Sequence, residues 1–72
     1  MKGAITKMKI VDERCFLGDS AGNVKVLNNT NFRTEKNFDG LFKSEVTYMG
    51  VLEDSLFIGD DSGVIKSLSC KD

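Results

Sequence analysis

The side chains of this chain that could do chemistry gather in two glycine-bounded loops, two acidic turns and two cysteine positions. Asp60-Asp61-Ser62-Gly63 has the composition of a fragment of a calcium site. An EF-hand loop, however, needs acidic ligands at alternating places and a distal Glu. Neither is present, and the segment reads as a hairpin turn in which Asp and Ser bond their own backbone and Gly supplies positive φ. Gly18-Asp19-Ser20-Ala21-Gly22 has no Lys-Ser or Lys-Thr after its second glycine, so it lacks the phosphate cradle of a P-loop. The pairs Asp12-Glu13 and Glu53-Asp54 offer carboxylates for acid–base work. Catalytic carboxylates must converge in a cleft with shifted pKa values, whereas adjacent acids on repeated turns read as solvated surface.

The sequence has no His, Trp or Pro. Without His there is no His-ligated metal site, no Ser-His-Asp triad and no Cys-His dyad. Cys15 and Cys70 do not form a Cys-x-x-Cys spacing, and with no secretory signal both read as reduced thiols. Cys15 lies in the apolar run Cys15-Phe16-Leu17 and reads as a small buried hydrophobe. The expectation is a protein that is not an enzyme, with no catalytic residue, no cofactor and no metal.

Ten basic residues face eleven acidic ones in 72 residues, for a net charge of -1. Lys7, Lys9, Lys25, Lys36, Lys43 and Lys66 are dispersed among the acids with no basic stripe, so no nucleic-acid partner is expected. Apolar runs are only a few residues long, far short of the ~20 that a transmembrane helix needs. No apolar stretch follows Lys2 to make a signal peptide. A cytoplasmic or nuclear setting without direct membrane contact follows as the expectation.

The elements that hold these loops come from a repeat. Residues 5–28 lie over residues 46–69 at an offset of 41 without gaps. Eight of the 24 pairs are identical, among them Thr6/Thr47, Met8/Met49, Phe16/Phe57, Gly18/Gly59, Asp19/Asp60 and Gly22/Gly63. Seven more are conservative, including Ile5/Val46, Ile10/Val51 and Val24/Ile65. Unrelated segments match at roughly one or two such positions, so the chain contains an internal duplication.

Each copy reads as three short strands. In the first strand apolar residues fall at the first, fourth and sixth places, which predicts an irregular step such as a bulge early in the strand. The second, Cys15-Phe16-Leu17-Gly18 or Leu56-Phe57-Ile58-Gly59, is a short apolar run suited to burial on both faces. The third alternates and points Lys25 and Lys66 to solvent, with its apolar residues facing in. Between the copies, Phe32 to Phe38 reads as a polar outer strand, favoured over a helix by its Asn and Thr content.

A 41-residue period with four short strands per unit resembles the blade of a β-propeller, and among propellers it is similar to the WD40 repeat. The resemblance spans 5–69. The order of a strand ending in Gly, a loop ending in Gly and a closing strand is carried by residues 17–28 and again by 58–69. Leu27 and Leu68 stand where that family prefers Trp, and Asn28 and Ser69 stand at its Asp. With no His, the family's Asp-His-Ser-Trp network has no counterpart.

The resemblance implies an all-β protein of two four-stranded antiparallel propeller-type blades, the second lacking its outer strand: an incomplete propeller. As a single β unit over 1–72, blade 1 covers 5–38 with strands at 5–11, 15–18, 23–28 and 31–38. An inter-blade loop covers 39–45. Blade 2 covers 46–70 with strands at 46–52, 55–59 and 64–69. Repeat units are stable through their neighbours, so two such units leave apolar faces and sheet edges uncovered. The implied function is a non-catalytic protein-interaction or scaffold element that completes or joins a larger propeller or complex. Its partners are other proteins or further copies of itself. The alternatives are a fragment of a larger propeller with no independent activity, and a small ligand-binding or enzymatic propeller assembled from several copies. Candidate partner-facing loop residues are Asp19, Ser20, Asp39, Phe42, Lys43, Asp60 and Asp61.

Overall fold

A computed structural model describes residues 3–69. Seven strands follow one another: β1 (Ile5–Val11), β2 (Arg14–Asp19), β3 (Val24–Asn28), β4 (Thr34–Phe38), β5 (Val46–Leu52), β6 (Ser55–Asp60) and β7 (Ile65–Ser69). They form two antiparallel meanders, one of four strands in the order β1-β2-β3-β4 and one of three in the order β5-β6-β7. No helix occurs among the described residues, and hence none long and apolar enough to cross a membrane.

The duplication in sequence is a duplication in geometry. The register of β1 against β2 shifts between Ile5 and Lys7, and that of β5 against β6 shifts between Val46 and Tyr48. The irregular step predicted from the apolar spacing thus falls at Thr6 and at Thr47. Turn conformations repeat as well: Asp12 and Glu53 have φ of 53° and 56°, and Gly22 and Gly63 have φ of 86° and 92°. An unstrained Asp or Asn enters this left-handed region more readily than Glu does. Glu53→Asn is therefore expected to stabilise the chain by about 0.5 kcal/mol, or roughly 2–4 °C in Tm at this size. A thermal melt in which Glu53→Asn matches or falls below the parent would count against strain at that turn.

Strand ends depart from the sequence expectation where side chains capture the backbone. The outer strand starts at Thr34 rather than at 31 because Asn28 Oδ1 accepts from Thr30 and Asn31 N–H at 2.8 and 3.2 Å. Phe32 then takes a φ of 59° in the turn, exposed rather than closing a strand. β3 and β7 start one residue late, because the Asn23 and Val64 N–H groups are given to Asp19 and Asp60.

Directly opposed residues of an antiparallel ladder share a face. In the first sheet Phe16 faces Val26, Gly18 faces Val24 and Val24 faces Phe38, which puts these five on one side. In the second sheet Met49 faces Ile58 and Leu56 faces Leu68. These two faces meet. The core is Phe16, Val24 and Val26 from one sheet against Val46, Leu56 and Ile58 from the other, with Phe42 of the connecting segment between them. The two sheets approach closely at Gly18: a Cβ there would lie 2.6 Å from Val46 Cγ1. Thr6 Oγ1 donates across it to the Val46 carbonyl at 2.6 Å.

One sequence expectation fails on the second sheet. Val24 is 1% exposed, but its repeat partner Ile65 is 68% exposed. Among the described residues nothing lies over the face of the second sheet that corresponds to the covered face of the first. Lys66 also departs from a purely solvated role. Its Nζ donates to the Leu41 carbonyl at 2.7 Å and sits 5.4 Å from the Phe42 ring centroid.

Candidate interaction faces and loops

The loop residues divide into those consumed by the fold and those left outside it. Asp19 is fully buried. Its carboxylate accepts from Ala21 N–H at 2.9 Å, Asn23 N–H at 2.8 Å, Asn23 Nδ2 at 3.0 Å and Gly3 N–H at 3.3 Å. Asp60 closes the matching turn by accepting from Ser62 N–H at 3.1 Å, the Ser62 hydroxyl at 2.8 Å and Val64 N–H at 2.9 Å. Burial by itself would raise both carboxyls. Hydrogen bonds outweigh it and hold both below the usual Asp value, from Asn23, Ala21 and Gly3 on Asp19, and from Ser62, Val64 and Gly63 on Asp60.

The segment between the sheets is fastened to the first of these turns. Gly40 N–H donates to Asn23 Oδ1 at 2.7 Å, and Phe42 N–H donates to the Gly22 carbonyl at 3.0 Å. The Phe42 ring is buried in the core. Ser20 and Asp61 are exposed at matched places, and each donates its N–H to the residue before a first strand, to the Ala4 and Glu45 carbonyls at 2.8 and 2.9 Å. Asp39 and Lys43 are exposed. Of the seven loop residues singled out from sequence, then, Asp19, Asp60 and Phe42 spend their side chains on turns and core. Ser20, Asp39, Lys43 and Asp61 stand at the surface, Ser20 with its hydroxyl accepting from Ala4 N–H at 3.1 Å.

Among the described residues no group of three or more His, Cys, Asp or Glu side chains is placed to hold a metal ion. Cys15 is a buried free thiol whose pKa is pushed up by burial, the reverse of what a nucleophilic or metal-binding thiolate needs. Cys70 lies outside the described residues.

What the molecule does present is apolar surface, on two sheet faces away from these loops. On the outward side of the first sheet Ile5, Met8 and Ile10 are 56%, 59% and 52% exposed. On the outward side of the second sheet Tyr48, Leu52 and Ile65 are exposed around a half-buried Phe57. The signal for them was in the repeat: positions apolar in both copies have to face something in both copies. A shallow groove of about 120 Å³ runs between the outer part of the first sheet and Leu68-Ser69, walled by Phe16, Val26, Lys36 and Phe38. It lies where the three-stranded sheet has no strand to match β4.

Fold and surface together define a small all-β protein of two antiparallel sheets packed face to face. No protein-family model, curated protein or solved structure matches the chain.

Proposed function

We propose that the chain is a non-catalytic protein-interaction or scaffold element built of two WD40-like propeller-type blades, which completes or joins a larger propeller or complex. The observation that carries this reading is the contrast between equivalent residues. Val24 and Val46 are covered by the neighbouring sheet, while Ile65 and Ile5, their repeat partners, are 68% and 56% exposed. Exposed apolar surface of this kind marks interaction sites, and repeat units draw their stability from neighbours. The turn carboxylates support the non-catalytic side of the proposal, since Asp19 and Asp60 are occupied by their own loops. Protein partners or further copies of the chain, rather than nucleic acid, membrane or cofactor, fit surfaces that are apolar. A cytoplasmic or nuclear place fits a buried thiol kept reduced.

The test is the solution mass of the purified chain by light scattering, with far-UV circular dichroism on the same peak. A discrete β-rich multimer, or a chain that lacks β structure on its own and gains it with a partner, supports the proposal. A stable β-rich monomer at every concentration overturns it.

A further inference from the structure

Resting on the interaction-element reading above, we infer that the two uncovered faces are the two halves of one interface, and that a second copy of this chain docks head to tail. The outward face of its first sheet seats on the outward face of the second sheet. This interface already exists once inside the molecule, between the two sheets. The 41-residue offset carries each side of it to an uncovered end. On the receiving side Val11, Phe16 and Val24 become Leu52, Phe57 and Ile65. On the docking side Val46, Met49 and Val51 become Ile5, Met8 and Ile10. Each of these six replacements is apolar for apolar, and Val26 of the same core becomes Ser67.

Two details of the junction have counterparts at the uncovered faces. Val46 sits on Gly18 so closely that a Cβ there would meet it at 2.6 Å. Gly59, the repeat partner of Gly18, has only ordinary contacts of 3.5–3.8 Å, to Tyr48, Ile65 and Val64, so the place that Val46 takes on Gly18 is not filled as closely here. Ile5 of a second copy is the side chain that fills it. Thr6 Oγ1 crosses the internal junction to the Val46 carbonyl. Thr47 is exposed, and its hydroxyl makes no such bond among the described residues. Its counterpart acceptor is the Ile5 carbonyl of the second copy.

Composition of the receiving face argues against water as its permanent neighbour. The first sheet carries Lys7 and Lys9 on this side of its first strand; the second sheet has Tyr48 and Gly50 there. Register places only Gly and Ser beside Tyr48, Leu52, Phe57 and Ile65 on that face, so it bears no charge at all. A sheet face that looks permanently into solvent is normally polar. The two faces also differ from one another, so the contact is heterologous and propagates until its rotation closes. Rings of propeller-type blades close at about 4–8 units, which is about two to four chains.

The experiment pairs variants that each disable one side. Ile65→Asp and Gly59→Ala disable the receiving face, the first by charge and the second by filling the seat. Ile10→Asp disables the docking face. Ile10 and Ile65 are exposed and a Cβ at Gly59 would make only ordinary contacts, and unchanged circular dichroism checks that the fold is kept. Light scattering is expected to show the parent growing with concentration to whole multiples of the chain mass, and each variant alone at the mass of one chain. Mixing Ile65→Asp with Ile10→Asp is expected to restore a 1:1 complex of twice that mass, because each brings the face that the other lacks. A multimer indifferent to these substitutions, or a mixture that stays monomeric, overturns head-to-tail docking and leaves the interaction-element reading standing. So does a parent chain that folds only with a different protein. A folded parent that is monomeric at every concentration overturns both.

Discussion

Gly22→Ala is expected to unfold most of the chain at 25 °C, while Gly63→Ala, at the same place in the repeat, is expected to cost about 1–2 kcal/mol. Both glycines have positive φ, 86° and 92°, so both substitutions bear the strain of an L side chain in that region. They differ in what surrounds them. A Cβ on Gly22 would strike the Phe42 carbonyl oxygen, with the Ser44 carbonyl oxygen 2.8 Å away, whereas a Cβ on Gly63 would meet nothing within 4 Å. The obstacle at Gly22 is backbone, and it is held in place by the hydrogen bond from Phe42 N–H to the Gly22 carbonyl at 3.0 Å. Relieving the collision means lifting the connecting segment and withdrawing the buried Phe42 ring. Added to the strain, loss of that bond and that burial comes to on the order of 4 kcal/mol. A domain of this length has roughly 4–10 kcal/mol in total, and an open two-sheet stack belongs at the low end. Urea titrations followed by circular dichroism at one low protein concentration read the difference directly. Equal midpoints for the two variants would show that the connecting segment does not rest on the first turn.

The same pair of glycines shows what could be read from the sequence and what could not. The turns, the strand order and the bulges are local, and they are written twice, at Thr6/Thr47, Asp19/Asp60 and Gly22/Gly63. Local physics acts alike on both copies, and the two meanders share their register shifts and turn dihedrals. Burial depends on the neighbours of each copy, which no local pattern encodes. Val24 and Ile65 look alike in sequence and differ from 1% to 68% in exposure. Three of the loop residues turn inward for a different reason. Asp19 and Asp60 belong to polar turns and so suggested surface, but a short carboxylate beside several N–H donors turns inward to satisfy them. Phe42 stood in a polar connecting segment with no periodicity around it, and only the meeting of the two sheets makes a pocket for its ring. The outer strand began later than expected because an Asn side chain competed for the backbone at its start.

Asp19→Ala carries the second large effect, about 3 kcal/mol, because it strands several donors in a buried turn at once. The carboxylate joins Ala21, Asn23 and Gly3, and Asn23 in turn holds Gly40 of the connecting segment. Asp60→Ala is expected to be milder. Its Ser62 hydroxyl turns freely to water, and nothing is fastened beyond its loop. Both carboxyls sit below their ordinary value in the folded chain, so the folded state binds fewer protons than the unfolded one in the acid range. Their contribution is therefore complete above the unfolded carboxyl pKa of about 3.9 and is lost as pH falls through the lower folded value. The parent is expected to lose stability progressively from about pH 5 downward. In Asp19→Ala that acid limb should be shallower, on a chain already less stable at neutral pH. Denaturant midpoints between pH 7 and pH 3 distinguish this from simple loss of packing, which lowers the whole curve without changing its slope. An Asp19→Ala curve parallel to the parent's would remove the carboxylate's charge from the account and leave only the shape of its turn.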